Sequence, residues 1–175
     1  MQWLRRTLRR LQRREQPVRV SVVGLGSELH GDDAAGLWVV RALMRQQSAA
    51  PSYVQVVEAG TAPENVVGLL RRFAPHLVIF VDAAEPVHDA LPGTVRWIDW
   101  RTTEGVSAST HTLPLSVVCA YLADQLGCEV ALIGIQVVSL NADRRPSLPV
   151  RRAVRRVTAG LSVLLYTDQS RSTSA

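Results

Sequence analysis

The run HLVIFVDAA, residues 76–84, is short, β-branched and aromatic, and apolar at successive positions up to an aspartate. A strand turns alternate side chains to opposite faces, so a run apolar at both parities needs cover on both sides. VRVSVVGLG (18–26) and EVALIGIQVV (129–138) repeat the pattern, and SYVQVVEAG (52–60) and GTVRWIDW (93–100) read as further strands. Helical spacing of apolar residues runs through the stretches 32–47, 62–75, 113–127 and 149–167. Two-sided strands alternating with amphipathic helices predict an α/β fold. The expected form is a three-layer α/β/α sandwich around a mostly parallel, twisted sheet of about five strands.

In such a sheet, ligands gather beyond the carboxyl ends of the strands, at the point where strand order reverses. Attention therefore falls on the residues after each strand. These are Gly24 to Asp33 after the first, Glu58 to Asn65 after the second, and Asp82 at the end of the third. The loop entering the 113–127 helix adds His111. Gly24-Leu25-Gly26 resembles dinucleotide-loop punctuation, but Leu29 stands where the third glycine of that fingerprint belongs. Asp32 and Asp33 then follow, and their charge would repel a phosphate. A nucleotide site is not expected.

A cation suits the same residues better. Asp33, Asp82 and His111 make a mixed oxygen and nitrogen donor set, fitted to a divalent transition metal such as nickel, zinc or cadmium rather than magnesium. No two of the three share a local motif. Each also has a plain structural role open to it: Asp33 as an acid in a first helical turn, Asp82 as a loop cap, His111 as a polar turn residue. Asp32 fits a capping or supporting role, and Glu28 and His30 fit solvent-facing loop positions.

Composition bounds the rest. The chain has 175 residues, 47% of them hydrophobic, enough for one domain with a true core. No apolar run approaches the roughly 20 residues of a membrane-spanning helix. Cys119 and Cys128 form neither a framework nor a CxxC pair, so a reducing compartment is expected, and Cys119 falls in the apolar stripe of a helix, where a thiol is inert. There is no Gly-x-Ser-x-Gly elbow and no HExxH. All 20 basic residues are arginine, the formal charge is +5, and the excess is concentrated in residues 1–19 and in VRRAVRRV at 150–157. The expected domain plan is a basic extension at 1–17, one domain at 18–166, and a disordered tail at 167–175. For the extension, an amphipathic helix and a solvated segment both fit, with the solvated segment preferred; binding to a membrane surface or nucleic acid is not expected.

GLGSELHGDDAAG (24–36), GTAPEN (60–65), FVDA (80–83) followed by PG (92–93), THTLPL (110–115) and IGIQ (133–136) occur in an order that resembles the nickel-dependent hydrogenase maturation endopeptidases. The branch most similar processes the large subunit of formate-hydrogenlyase-type [NiFe] hydrogenases. The likeness spans about residues 18–165. It implies a cytoplasmic, aspartic-type endopeptidase that clips a C-terminal extension from the large-subunit precursor after nickel insertion. The nickel is supplied by that substrate, and Asp33, Asp82 and His111 are its contacts and the catalytic set. A monomer is expected, and a non-catalytic chaperone that holds the precursor is the alternative. Ser27, the Glu58-Ala59 pair and Val137 depart from the family pattern, without touching the three proposed contacts.

Overall fold

The computed structural model describes residues 2–15, 17–46, 51–85, 90–101, 114–137 and 146–167. Five strands form one sheet: β1 (Val20–Leu25), β2 (Val54–Gly60), β3 (Leu77–Ala84), β4 (Val95–Ile98) and β5 (Glu129–Gln136). Their order across the sheet is β2-β1-β3-β5-β4. All neighbours are parallel except β4, which runs antiparallel along the edge against β5.

The two-sided strands explain the layers. Leu77, Ile79, Val81 and Ala83 of β3 face one core, while Val78 and Phe80 face another. The first core is closed by α1 (Gln2–Gln12), α2 (Ala35–Met44) and α5 (Leu148–Ser162). The second is closed by α3 (Val67–Phe73), which follows a 3-10 turn at Pro63–Val66, and by α4 (Leu115–Leu126). This is the α/β/α sandwich expected. The predicted stripe of α4 is buried as Leu115, Val118, Cys119 and Leu122, and the helix stops at Gly127 in a left-handed conformation, φ 60°.

Two expectations change. Residues 2–12 do not form a solvated segment. Leu4 and Leu8 lie one turn apart on α1 and are buried in the first core, with Leu11 packed against it. Burying each leucine contributes about 1.5–3 kcal/mol. Trp3 lies against Trp97 of β4 with ring centroids 3.9 Å apart, and Arg10 pairs with Glu129 at the start of β5. The apolar side of α1 is thus used inside the protein and cannot lie in a lipid surface, while Arg5, Arg6 and Arg9 face outward. Second, α2 begins at Ala35, so Asp32 and Asp33 sit in turns ahead of the helix rather than in its first turn. The tail expected after residue 166 lies outside the described residues, save that the backbone turn Val163–Thr167 closes the last helix.

β1 lies between β2 and β3, so the crossover through α2 leaves to one side and the return through α3 goes to the other. That reversal makes the carboxyl ends of β1 and β3 the switch point of the sheet.

Candidate functional site

Three glycines shape the switch point. Gly26, just past β1, takes φ 123°, and a Cβ there would lie 1.9 Å from the Asp33 carbonyl oxygen. Only glycine lets the chain turn and pass so close to the backbone that leads into α2. Gly36, in the first turn of α2, would place a Cβ 2.0 Å from the Val81 carbonyl oxygen and 2.5 Å from that of Leu25. A Cβ at Gly24 would in turn meet the Gly36 carbonyl at 2.5 Å. The start of α2 is therefore wedged, backbone on backbone, over the ends of β1 and β3. The close-packing glycine that the dinucleotide pattern would put at position 29 is present as Gly36. The spacing differs, and the paired acids remain.

Wedging α2 fixes the acids that precede it. Asp33 is buried, and its Oδ2 accepts a hydrogen bond from the Ser27 N–H at 2.8 Å, which folds loop 27–33 back on itself. In β3, Val81 pairs in register with Gly24, and Asp82 is the next residue. Asp82 is 3% exposed, shares the parity of Val78 and Phe80, and its Oδ1 accepts from the Ala83 N–H at 2.8 Å. The structure thus brings Asp33, in the turn ahead of α2, and Asp82, in β3, to the same edge of the sheet. His111 lies outside the described residues. Among the described residues no three histidine, cysteine, aspartate or glutamate side chains cluster closely enough to hold a metal ion.

Asp32 has a task that local sequence does not reveal. Its Oδ1 accepts from the backbone N–H of Ser147 at 2.6 Å, across 115 residues, at the residue that precedes α5. A carboxylate there satisfies a backbone donor at the helix entrance and complements the helix dipole. It caps α5, where sequence suggested α2. Glu64, in the 3-10 turn after β2, was also missed: it is half-buried, and its Oε2 is buried with no hydrogen-bond partner among the described residues. The only sequence signal was its place just beyond a strand end.

Around this edge, Glu28 is exposed as expected and pairs with Arg41 of α2, which also holds Glu58 at 2.7 Å. The Arg41 hydrogen bond and charge keep the Glu28 carboxyl below its usual range. The thiols are inert. Burial pushes Cys119 up to about 12 and Cys128 up to about 11, and the Cys128 thiol donates to the Leu122 carbonyl at 3.4 Å. Neither can serve as a thiolate nucleophile near neutral pH.

Comparison with known proteins gives these residues a context. The family described as HycI, hydrogenase maturation protease, matches residues 37–161, which include Asp82 and His111. The hydrogenase 3 maturation protease of Escherichia coli K12 is 32% identical over 136 residues, 76% of this chain and 82% of that protein. The crystal structure of a [NiFe] hydrogenase maturation protease HycI from Thermococcus kodakarensis superposes with a TM-score of 0.75 at 30% identity, covering 93% of this chain and 97% of the other. The solution structure of the Escherichia coli endopeptidase HycI gives 0.65 at 28%, covering 82% and 91%. With the sandwich, the switch point and the paired acids already in place, the chain belongs to the hydrogenase maturation protease family.

Proposed function

We propose that this peptidase removes a C-terminal extension from the large-subunit precursor of a [NiFe] hydrogenase after nickel has been inserted. Asp33, Asp82 and His111 act as its contacts to the metal carried by that substrate. It works as a monomer in the cytoplasm; among the described residues no helix is long and apolar enough to cross a membrane. The observation that carries the reading is the burial of Asp33, in the turn ahead of α2, and Asp82, in β3, at the switch point, each fixed through one oxygen by a backbone N–H.

The chemistry follows from that placement. Two carboxylates and an imidazole suit nickel better than a hard cation, and they leave positions for the substrate's own ligands. Nickel in the substrate would hold the scissile peptide in place and polarise its carbonyl. The chain's own share is positional. The glycine wedge and the Ser27 and Ala83 N–H groups set the two carboxylates before substrate arrives, so little ordering remains at the reacting step. The raised thiols give the protein no route through a cysteine nucleophile.

The test is a cleavage assay. Nickel-loaded precursor incubated with the protein should lose its C-terminal extension by mass, and nickel-free precursor should stay intact. Equal cleavage of both forms would remove nickel from the reading. Tight binding with no mass change would make the chain a docking chaperone instead.

A further inference from the structure

α2 and α5 pack side by side over the first core, and a groove of about 860 Å³ runs between them. Its walls carry Arg41 of α2 and Arg45 at the C-terminal cap of that helix, facing Arg151 and Arg155 from α5, with half-buried Trp38 among the lining residues. Each arginine pair is spaced i, i+4, so both helices present two cations on one face. Like charges at that spacing repel one another, and the facing rails add to the repulsion. Among the described residues, Arg45, Arg151 and Arg155 have no ion-pair partner.

Arg41 shows what such a groove accepts. It holds two carboxylates, those of Glu28 and Glu58, and Glu28 itself lines the groove. Glu28 also belongs to the loop 27–33 that carries Asp33. The volume falls within the range of ligand sites, and an aromatic side chain beside aliphatic Val154 and Ala42 suits a segment with both acidic and apolar residues.

We propose that the α2–α5 groove docks an acidic segment of a polypeptide substrate, its carboxylates pairing with Arg45, Arg151 and Arg155. A further carboxylate on Arg41 would exchange with Glu28 and so reach the loop that holds Asp33. The proposal depends on the peptidase reading only in taking the occupant to be a polypeptide.

The probe is a fluorescein-labelled decapeptide of alternating glutamate and alanine, titrated with the full chain and read by anisotropy. Binding should weaken as salt rises, because exposed charges are screened. Arg151→Glu with Arg155→Glu should weaken it about tenfold, while Arg5→Glu with Arg9→Glu on α1, an equal change of charge, should weaken it no more than about twofold. Should the reversed pair not fold, Arg151→Gln with Arg155→Gln should weaken binding about threefold. With nickel-loaded precursor, the α5 variant should raise KM several-fold. Peptide binding that is absent, or equally weakened by the α1 and α5 variants, overturns the proposal. So does tighter binding of a ten-nucleotide single-stranded DNA through the same arginines. Peptide capture by the groove alongside failure to cut the precursor would leave the groove standing and remove the peptidase reading.

Discussion

The acidic edge of the sheet and the arginine groove carry opposite charge, and they are built in opposite ways. At the edge, Asp32, Asp33 and Asp82 are at most 8% exposed, and each carboxylate is held by a backbone N–H. In the groove, Arg45, Arg151 and Arg155 are exposed, and Arg41 is held by other side chains alone. Groups fixed by backbone keep one geometry, as chemistry at a reacting centre requires; groups on long exposed side chains adapt to a partner. Substitutions at the edge should therefore act on kcat, and those in the groove on KM and salt dependence.

The largest effect is expected at Asp82. Asp82→Asn keeps an oxygen for the Ala83 N–H and removes only the charge, so the fold should melt near the parent temperature. Cleavage of nickel-loaded precursor should fall at least about 10²-fold, the scale of loss when a reacting group is misplaced. Asp33→Asn should behave alike through Ser27. Near-parent kcat in both variants would break the division of labour between edge and groove.

Gly36→Ala tests the wedge. Helix propensity alone favours alanine by about 1 kcal/mol. The new Cβ, however, would meet backbone atoms of Val81 and Leu25 at 2.0–2.8 Å, and backbone cannot step aside as a side chain could. A net loss of about 3 kcal/mol in denaturant unfolding is expected, with activity falling as well because Asp33 moves. A stabilised variant would show that the edge is less rigid than its contacts imply.

Much of this was legible in the chain, for definite reasons. Strands such as 76–84 declare themselves because burial on both faces leaves no polar position until Asp82, and the same rule pointed to that aspartate. The same strand-end rule grouped Asp33 with Asp82 and His111, although no two of them share a local motif, and the resemblance gave that grouping its weight. What escaped was set by contacts distant in sequence. Leu4 and Leu8 read as part of a solvated segment because six arginines surround them in residues 2–14, and only the core shows them buried. Asp32 caps a helix 115 residues away, and Gly36 is required by a strand end that periodicity does not mention.

Asp32→Ala should cost about 1 kcal/mol, the usual price of a lost helix cap, and it should loosen the link between loop 27–33 and α5. Asp32→Asn keeps an acceptor for Ser147 and should recover most of that stability. If alanine and asparagine destabilise equally, the charge rather than the hydrogen bond holds the edge.

His76, at the other end of the sheet, supplies a pH-dependent contrast. Its Nδ1 accepts from the Arg19 N–H at 3.0 Å, a bond that requires the unprotonated ring. Burial, with Arg19 nearby, lowers its pKa below 6.5; Glu15 opposes this more weakly. A depressed histidine binds its proton more readily in the unfolded chain. Its contribution to stability is therefore complete above pH 6.5 and lost as pH falls through the lower folded value. Thermal melts across pH 5–7.5 should show that slope, and His76→Gln should flatten it.

Arg41→Ala should have the smallest effect on stability. Arg41 joins Glu28 and Glu58, but all three side chains are at least a third exposed, and surface pairs of this kind contribute little after screening and side-chain ordering. For a domain of this size, Tm should move by no more than about 2–4 °C. The informative readout is elsewhere. Freed of Arg41, Glu28 no longer ties loop 27–33 to α2, so the salt dependence of precursor KM should shift while the fold is kept. A large fall in Tm without a change in KM would make Arg41 part of the scaffold, and the contrast between a fixed edge and an adaptable groove would then stop at α5.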